Sequence, residues 1–132
     1  MTWLAAMVVA ASGATVAAAG PAFAASDASA SCQWPSGESC GFAYFTSEMG
    51  DGSEQLSIRD ATGDGYGVAV ENYRWDLANK GPYWGWNREG TGTVTYYALN
   101  ITEGARFQFR ACPEQFGIVD EDHCGAWAYG IA

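Results

Sequence analysis

The chain has 132 residues, of which 15 are acidic and 6 are basic, so its formal net charge is −9. This balance argues against a nucleic-acid partner, which requires a basic surface to neutralise phosphates, and against docking on anionic membranes. The length fits one domain, and a hydrophobic content of 48% is too high for a disordered chain.

Residues 1–24 have the features of a secretory signal peptide. A charge-free, alanine-rich run over 3–19 is followed by Gly20-Pro21, and Ala22-Phe23-Ala24 forms a small-x-small cleavage signature. No Lys or Arg precedes the run, which departs from the usual pattern. The alternative is a membrane anchor, because the run approaches the length of a short spanning helix. We expect export, cleavage after Ala24 and a secreted, extracellular product without a membrane partner.

The exported part is predicted to be one domain over 32–132. Residues 25–31 are small and polar, so we expect a flexible N-terminal tail there. From Gly41 onward, short alternating segments rich in aromatic and β-branched residues are separated by glycine-rich turns. This pattern predicts a single antiparallel β-sandwich, immunoglobulin-like or jelly-roll-like, or a small barrel, with about seven strands. The segments are 41–47, 54–60, 66–70, 93–100, 106–112 and 125–132, and only 71–80 is a candidate helix.

Four cysteines lie in the exported part, and small exported domains use disulfides to supplement modest cores. Their spacing favours two local bonds, Cys32–Cys40 and Cys112–Cys124. Each would stabilise the fold by about 2.5–3 kcal/mol on the loop-entropy estimate. A long-range pair such as Cys32–Cys124 would gain more entropically, so the connectivity stays open. The gaps between the cysteines do not match zinc knuckles.

An acidic, glycine-containing segment resembles a calcium-binding loop. Asp60-Ala61-Thr62-Gly63-Asp64-Gly65, followed after five residues by Glu71, nearly fits the loop template, with Asp60, Asp64 and Glu71 as carboxylate ligands. Thr62 stands where Asp or Asn is usual. The alternative is a hairpin turn in which Asp and Gly serve the backbone conformation. Apart from this calcium, no cofactor is predicted.

An aromatic cluster is the main candidate for a binding surface. Exposed rings stack on sugars and anchor protein interfaces, because they offer a large contact area at low entropic cost. The alternative is that these rings fill the core, a role we assign instead to Trp34 and Trp127. Five aromatic residues fall within one short stretch, more than one core position requires: Tyr73, Trp75, Tyr83, Trp84 and Trp86.

Catalytic machinery is hard to assemble from this sequence. His123 is the single histidine, and it lies in the acidic run Asp120-Glu121-Asp122-His123, where we expect a solvated loop. No G-x-S-x-G nucleophile motif occurs. A hydrolase that uses two carboxylates remains a distant alternative. We therefore predict no enzymatic activity, and the acidic run could steer a basic partner.

Three features resemble a broad set of small secreted actinobacterial proteins. They are the alanine-rich export signal, the turn Gly63-Asp64-Gly65-Tyr66-Gly67-Val68, and the ending Phe107-x-Phe-Arg-Ala-Cys112 with Cys124-Gly-Ala-Trp127. The resemblance implies a disulfide-containing β domain outside the cell and transfers no catalytic residue. In size and compartment the domain is also similar to small secreted adaptor subunits of actinobacterial toxin particles.

The sequence thus favours a non-enzymatic extracellular binding or adaptor module that engages a protein or a polysaccharide through its aromatic surface. The alternative is a small extracellular hydrolase inhibitor that presents a disulfide-bounded loop, either 32–40 or 112–124.

Overall fold

The computed structural model describes residues 24–132, so the predicted signal peptide lies outside the described residues except for Ala24. Across 24–132, no helix is long and apolar enough to cross a bilayer. One 3₁₀ turn occurs at Glu121–His123. The strands are β1 (Ala28–Gln33), β2 (Ser39–Thr46), β3 (Glu54–Asp60), β4 (Gly67–Arg74), β5 (Tyr83–Asn87), β6 (Val94–Leu99), β7 (Arg106–Gln115), β8 (Ile118–Val119) and β9 (Ala128–Ile131).

The strands form two antiparallel sheets packed as a sandwich, which confirms the predicted fold class. The first sheet has the order β1-β2-β3-β6. The second has the order β5-β4-β7, and both β8 and β9 pair with β7 at different positions along its length. The part of the chain that the structure describes contains no closed barrel, and its nine strands exceed the predicted seven.

The core lies between the sheets and consists of inward-facing residues at alternate strand positions. Phe107 and Phe109 of β7 are fully buried, and the ring of Phe45 on β2 lies 4.9 and 6.5 Å from theirs. Leu56 and Ile58 of β3 belong to the same buried cluster, as their period-two spacing predicts. Burial of each such side chain stabilises the fold by about 1.5–3 kcal/mol.

Two predicted segments differ from the structure. The predicted tail over 25–31 is largely ordered strand, because Ala28–Gln33 forms β1 and pairs with β2, burying Ala30 and Cys32. The candidate helix over 71–80 is instead the second half of β4 followed by a turn. Its backbone groups pair with β5 and β7 on both sides, so tertiary pairing outweighs the weak local helical pattern.

Both disulfides are local, which confirms the favoured pairing of the cysteines. Cys32–Cys40 closes the turn between β1 and β2. Cys112–Cys124 joins β7 to the segment after the 3₁₀ turn and encloses the β7–β8 hairpin. Among residues 24–132 there is no free cysteine.

Candidate binding surface

Strand alternation on β5 directs two tryptophans away from the core. Trp84 and Trp86 lie on the outer face of the second sheet, with ring centroids 5.7 Å apart and planes inclined by 23°. Gly85 between them faces the other sheet, where a Cβ atom would lie 2.9 Å from Cδ1 of Ile58. The glycine therefore permits close sheet packing beneath the two outward rings. By the same alternation, Tyr83 is directed to the opposite side of the strand from Trp84.

Four of the five predicted aromatic residues share this outer face, and two further aromatic residues join them. Tyr73 contacts both Trp75 and Trp127, with centroids 6.3 and 5.7 Å away. Trp127 was predicted to lie in the core, but 38% of it is exposed, because β9 directs its smaller residues inward. We call the following six residues the ring face: Tyr73, Trp75, Trp84, Trp86, Trp127 and Tyr129.

Three of the chain's five arginines stack on these rings. The guanidinium carbon of Arg88 lies 4.2 Å from the centroid of Trp86, and that of Arg110 lies 4.7 Å from Trp127. Arg106 lies between two rings, 4.1 Å from Tyr129 and 5.5 Å from Trp75. Such cation–π contacts are each worth about 0.5–1 kcal/mol at exposed sites. They favour these positions of the arginines and of the rings.

Two carboxylates bind two of these three arginines. Glu71 is mostly buried and forms an ion pair of 2.7 Å with Arg110, while Glu114 is buried and lies 2.9 Å from Nε of Arg88. The hydroxyl of Tyr73 donates to Glu71 over 3.3 Å. Burial and, secondly, the charge of Glu71 raise the pKa of Tyr73 above its ordinary value of 10.0. Arg106 forms no ion pair with any residue from 24 to 132.

The other sheet fixes the position of Trp86. The hydroxyl of Tyr97 on β6 accepts from the backbone N–H of Trp86 and donates to its carbonyl, both over 2.9 Å. Asn87 is fully buried, and its side-chain amide donates to the carbonyls of Ile58 and Thr93, each over 2.9 Å. The edge strand β5 is therefore attached to the first sheet through side chains. This attachment gives the ring face a rigid support.

The three predicted calcium ligands are not brought together. Glu71 faces the outer surface of the second sheet and binds Arg110. Asp64 accepts hydrogen bonds from Trp34 Nε1 and from the backbone of Tyr66, over 2.8 and 2.9 Å. No group of three acidic, histidine or cysteine side chains suited to a metal ion occurs within residues 24–132. Asp60 lies at the end of β3, and its carboxylate accepts a long hydrogen bond of 3.4 Å from the backbone N–H of Thr62.

The alternative interpretation of this segment as a hairpin turn is also wrong, because the two strands that it joins do not pair with each other. The connection over 61–66 carries the chain from β3 in the first sheet to β4 in the second. Asp and Gly nevertheless serve the backbone conformation as predicted: the Thr62 hydroxyl donates to Asp64 over 3.0 Å, and Gly65 has a φ of +79°.

His123 is not a freely solvated loop residue. Its ring packs on Trp34, with centroids 5.1 Å apart, and Nδ1 lies 2.8 Å from the carboxylate of Asp120. Within residues 24–132, no serine, threonine or cysteine forms a hydrogen bond with this ring, so a nucleophilic triad is not assembled. The pair instead fastens the segment after β8 to the β1–β2 turn.

Among residues 24–132, the most exposed large apolar side chain belongs to the Cys112–Cys124 loop and was not singled out from the sequence. Phe116, at the tip of the β7–β8 hairpin, is 93% exposed, and Ile118 next to it is 74% exposed. The short segment Gln115-Phe116-Gly117-Ile118 resembles an ordinary turn, and only the structure shows that no residue from 24 to 132 covers the Phe116 ring. Arg88, Arg106 and Arg110 were also missed, because their stacking depends on strand order.

Comparisons with known proteins returned no match: no family model, no curated protein and no solved structure is significantly similar to this chain.

Proposed function

We propose that this protein is an extracellular, non-enzymatic binding module, and that it engages a partner protein through the ring face. The observation that carries this proposal is the composition of that face. Its six rings are tryptophan and tyrosine, and the cations stacked on them are arginine. Trp, Tyr and Arg are the three residue types most enriched among the energetically dominant residues of protein interfaces.

The exposure of the rings supports a contact surface rather than a second core. Tyr129 is 55% exposed, and Trp75 and Trp127 are each exposed by more than a third. Such side chains gain free energy when a partner removes them from water, by about 25 cal/mol for each Å² of apolar surface. Arginines already stack on four of the six rings, and Tyr97 binds the backbone of Trp86, so less conformational entropy is lost on binding than for free side chains.

The arrangement of the arginines favours a protein over a polysaccharide. A sugar stacks on the free face of an aromatic ring, whereas Arg88, Arg106 and Arg110 each lie over a ring. Arg106 has an unpaired guanidinium among the described residues and can bind a carboxylate of the partner in a bidentate manner. The face therefore suits a partner surface that combines apolar and acidic groups.

The extracellular location is proposed from the signal-like residues 1–24 together with the two disulfides, since disulfides persist in oxidising compartments.

The non-enzymatic character is proposed from the fixed roles of the acidic and histidine side chains. Glu71, Glu114 and Asp64 each serve a structural hydrogen bond or ion pair.

The test compares partner capture by variants of the ring face. The immobilised protein is exposed to the extracellular fluid of the cells that make it, and retained proteins are identified and then produced in pure form. Trp127→Ala and Trp84→Ala should each weaken binding of such a partner by about tenfold or more. Tyr96→Ala serves as the control, because Tyr96 is 62% exposed on the first sheet, outside the ring face.

Three results would overturn the proposal. One is equal retention of all partners by the ring-face variants, with their folds intact by circular dichroism. Another is retention of no protein. The third is binding of the wild type, but not of Trp84→Ala, to cellulose, chitin or xylan in a sedimentation assay, which would replace the protein partner with a polysaccharide.

A further inference from the structure

The β7–β8 hairpin holds an aromatic ring in solvent at an energetic cost. Phe116 has a φ of +54° and Gly117 a φ of +79°. Two consecutive positive φ values suit a type I′ turn, which favours Asn-Gly because a bulky side chain is strained there. With 93% of its surface exposed, Phe116 gains no packing in return. No contact within residues 24–132 explains the choice of phenylalanine at this position.

The hairpin is nevertheless held firmly. The N–H of Gly117 donates to Glu114 over 2.9 Å, and the buried Glu114 also binds Arg88. The side-chain amide of Gln115 donates to the carbonyl of Gly65 over 3.2 Å. The Cys112–Cys124 disulfide closes the loop at its base. These contacts hold the backbone of the tip in place, so a partner that contacts the Phe116 ring need not order a flexible loop.

The charge of the Cys112–Cys124 loop indicates the chemistry of that partner. The loop continues after β8 with Asp120, Glu121 and Asp122, and the last two are exposed. No Lys or Arg occurs between Cys112 and Cys124. These acids repel anionic lipids and attract basic side chains, so the charge pattern favours a protein surface with Lys or Arg near the contact.

We infer that Phe116 is an anchor residue that inserts into an apolar pocket of a partner protein, and that basic side chains at the rim of this pocket meet Glu121 and Asp122. The site is distinct from the ring face and does not rest on it. The two surfaces approach each other at Arg88, because its Nη2 atom would lie 4.0 Å from a Cβ atom at position 117. One partner can therefore cover both surfaces, or each surface can bind its own.

The experiment places a photoreactive phenylalanine analogue, p-benzoylphenylalanine, at position 116. The intact protein is irradiated in the extracellular fluid of the cells that make it, and cross-linked products are identified. The same analogue at position 96, exposed on the first sheet, is the matched control. We expect a protein that cross-links to position 116 and not to position 96. Cross-linking of the same set from both positions, or of no protein from position 116, would overturn the inference.

The cross-linked protein is then produced in pure form and its affinity measured. Phe116→Ala should weaken binding by about 30-fold, as for an anchor residue. Phe116→Asn should weaken binding equally while raising the melting temperature, because asparagine tolerates positive φ. A phenylalanine retained only for the turn would show the opposite: unchanged affinity for both variants. That outcome, or a lower melting temperature for Phe116→Asn, would contradict the inference.

Two further measurements test the basic rim and the alternative occupants. Glu121→Gln combined with Asp122→Asn should slow association and reduce its dependence on salt, leaving the dissociation rate nearly unchanged. An unchanged salt dependence would exclude the basic rim. Sedimentation with phosphatidylcholine vesicles, and with vesicles that contain phosphatidylglycerol, should show no binding. Vesicle binding that Phe116→Ala abolishes would replace the partner protein with a membrane. These results are measured on variants of the Cys112–Cys124 loop alone, so they stand whether or not the ring-face variants weaken partner binding.

Discussion

Each of the two disulfide-bounded loops contains an aromatic residue, but one ring is directed into the fold and the other into solvent. In the Cys32–Cys40 loop, Trp34 turns inward: its ring meets that of Tyr66 edge-on at 5.1 Å, and Nε1 donates to Asp64 over 2.8 Å. In the Cys112–Cys124 loop, Phe116 turns outward and contacts little but solvent. Both loops are closed at their base by a disulfide, over sequence separations of 8 and 12 residues. A disulfide therefore fixes a loop without deciding whether its aromatic side chain stabilises the fold or faces a partner.

The inward loop also supports the outward one. Trp34 packs against His123, which lies inside the Cys112–Cys124 loop and binds Asp120. The backbone N–H of Asp120 in turn donates to the carbonyl of Pro113 on β7 over 2.9 Å. The position of the Phe116 hairpin thus depends on a tryptophan from a distant part of the chain. This dependence can be tested by removing each contact.

The largest expected effect comes from removing a disulfide. Replacing Cys112 and Cys124 together by Ala should lower the free energy of unfolding by about 3 kcal/mol, and the same change at Cys32 and Cys40 should cost about 2.5 kcal/mol. Urea unfolding of the two double variants measures both values. A cost below about 1 kcal/mol at either bond would show that packing around Trp34 and His123 already holds the loops closed.

The two aromatic residues themselves should differ sharply. Trp34→Ala should destabilise the protein by about 2–3 kcal/mol, because it removes ring contacts and leaves Asp64 without its indole donor. Phe116→Ala should change stability by less than about 0.5 kcal/mol, since the ring is exposed. Trp34→Phe keeps a ring without the donor and should cost about 1 kcal/mol. Equal destabilisation by the two alanine variants in thermal unfolding would remove the contrast between the loops.

A smaller effect is expected at Glu114, which holds the hairpin tip. Glu114→Ala removes the acceptor for the Gly117 N–H and the partner of Arg88, and should cost about 1–2 kcal/mol. Hydrogen exchange should show faster exchange of the Gly117 amide in this variant. Glu114→Gln retains an acceptor and should show intermediate exchange. If the amide exchanges at the wild-type rate in Glu114→Ala, other contacts hold the tip.

The smallest effect concerns the pH dependence contributed by Asp60. Burial is the main reason that the pKa of Asp60 is raised above its ordinary value of 3.8, and the charge of Asp64, the acceptor of Trp34, adds to the shift. Because the folded state binds this proton more tightly, the associated stability is complete below pH 3.8 and is lost as the pH rises through the raised pKa.

Asp60→Asn, which stays neutral, should therefore gain stability relative to the wild type as the pH rises through this range. Thermal unfolding of both proteins from acid to neutral pH measures the difference. If the stability of Asp60→Asn relative to the wild type instead falls with rising pH, a favourable contact of the Asp60 carboxylate outweighs the cost of its burial.

Local patterns in the sequence account for much of this structure. Alternation predicts the buried faces of β3 and β7, with Leu56, Ile58, Phe107 and Phe109 inward, and short spacing favours the two observed disulfides. Four of the five predicted ring positions share one surface because they belong to adjacent strands. Tyr83 was misplaced since strand alternation directs it opposite to Trp84.

Features that depend on long-range pairing could not be predicted. Arg110 reaches Trp127 and Glu71 only because β7 lies between β4 and β9. Trp127 was assigned to the core because its hydrophobicity gives no sign of which face β9 buries. Phe116 was missed because a phenylalanine in a turn is normally covered by other residues. Whether it is covered depends on distant parts of the fold, which the local sequence does not show.

The hydroxyl of Tyr97 has a consequence for the solubility of this protein. Strand β5 lies at the edge of the second sheet, where free backbone groups can recruit a strand from another molecule and begin aggregation. Tyr97 occupies both the N–H and the carbonyl of Trp86 at that edge. An incoming strand would have to displace it. The contact that orients a ring of the binding surface thereby also protects the fold from pairing with its own copies.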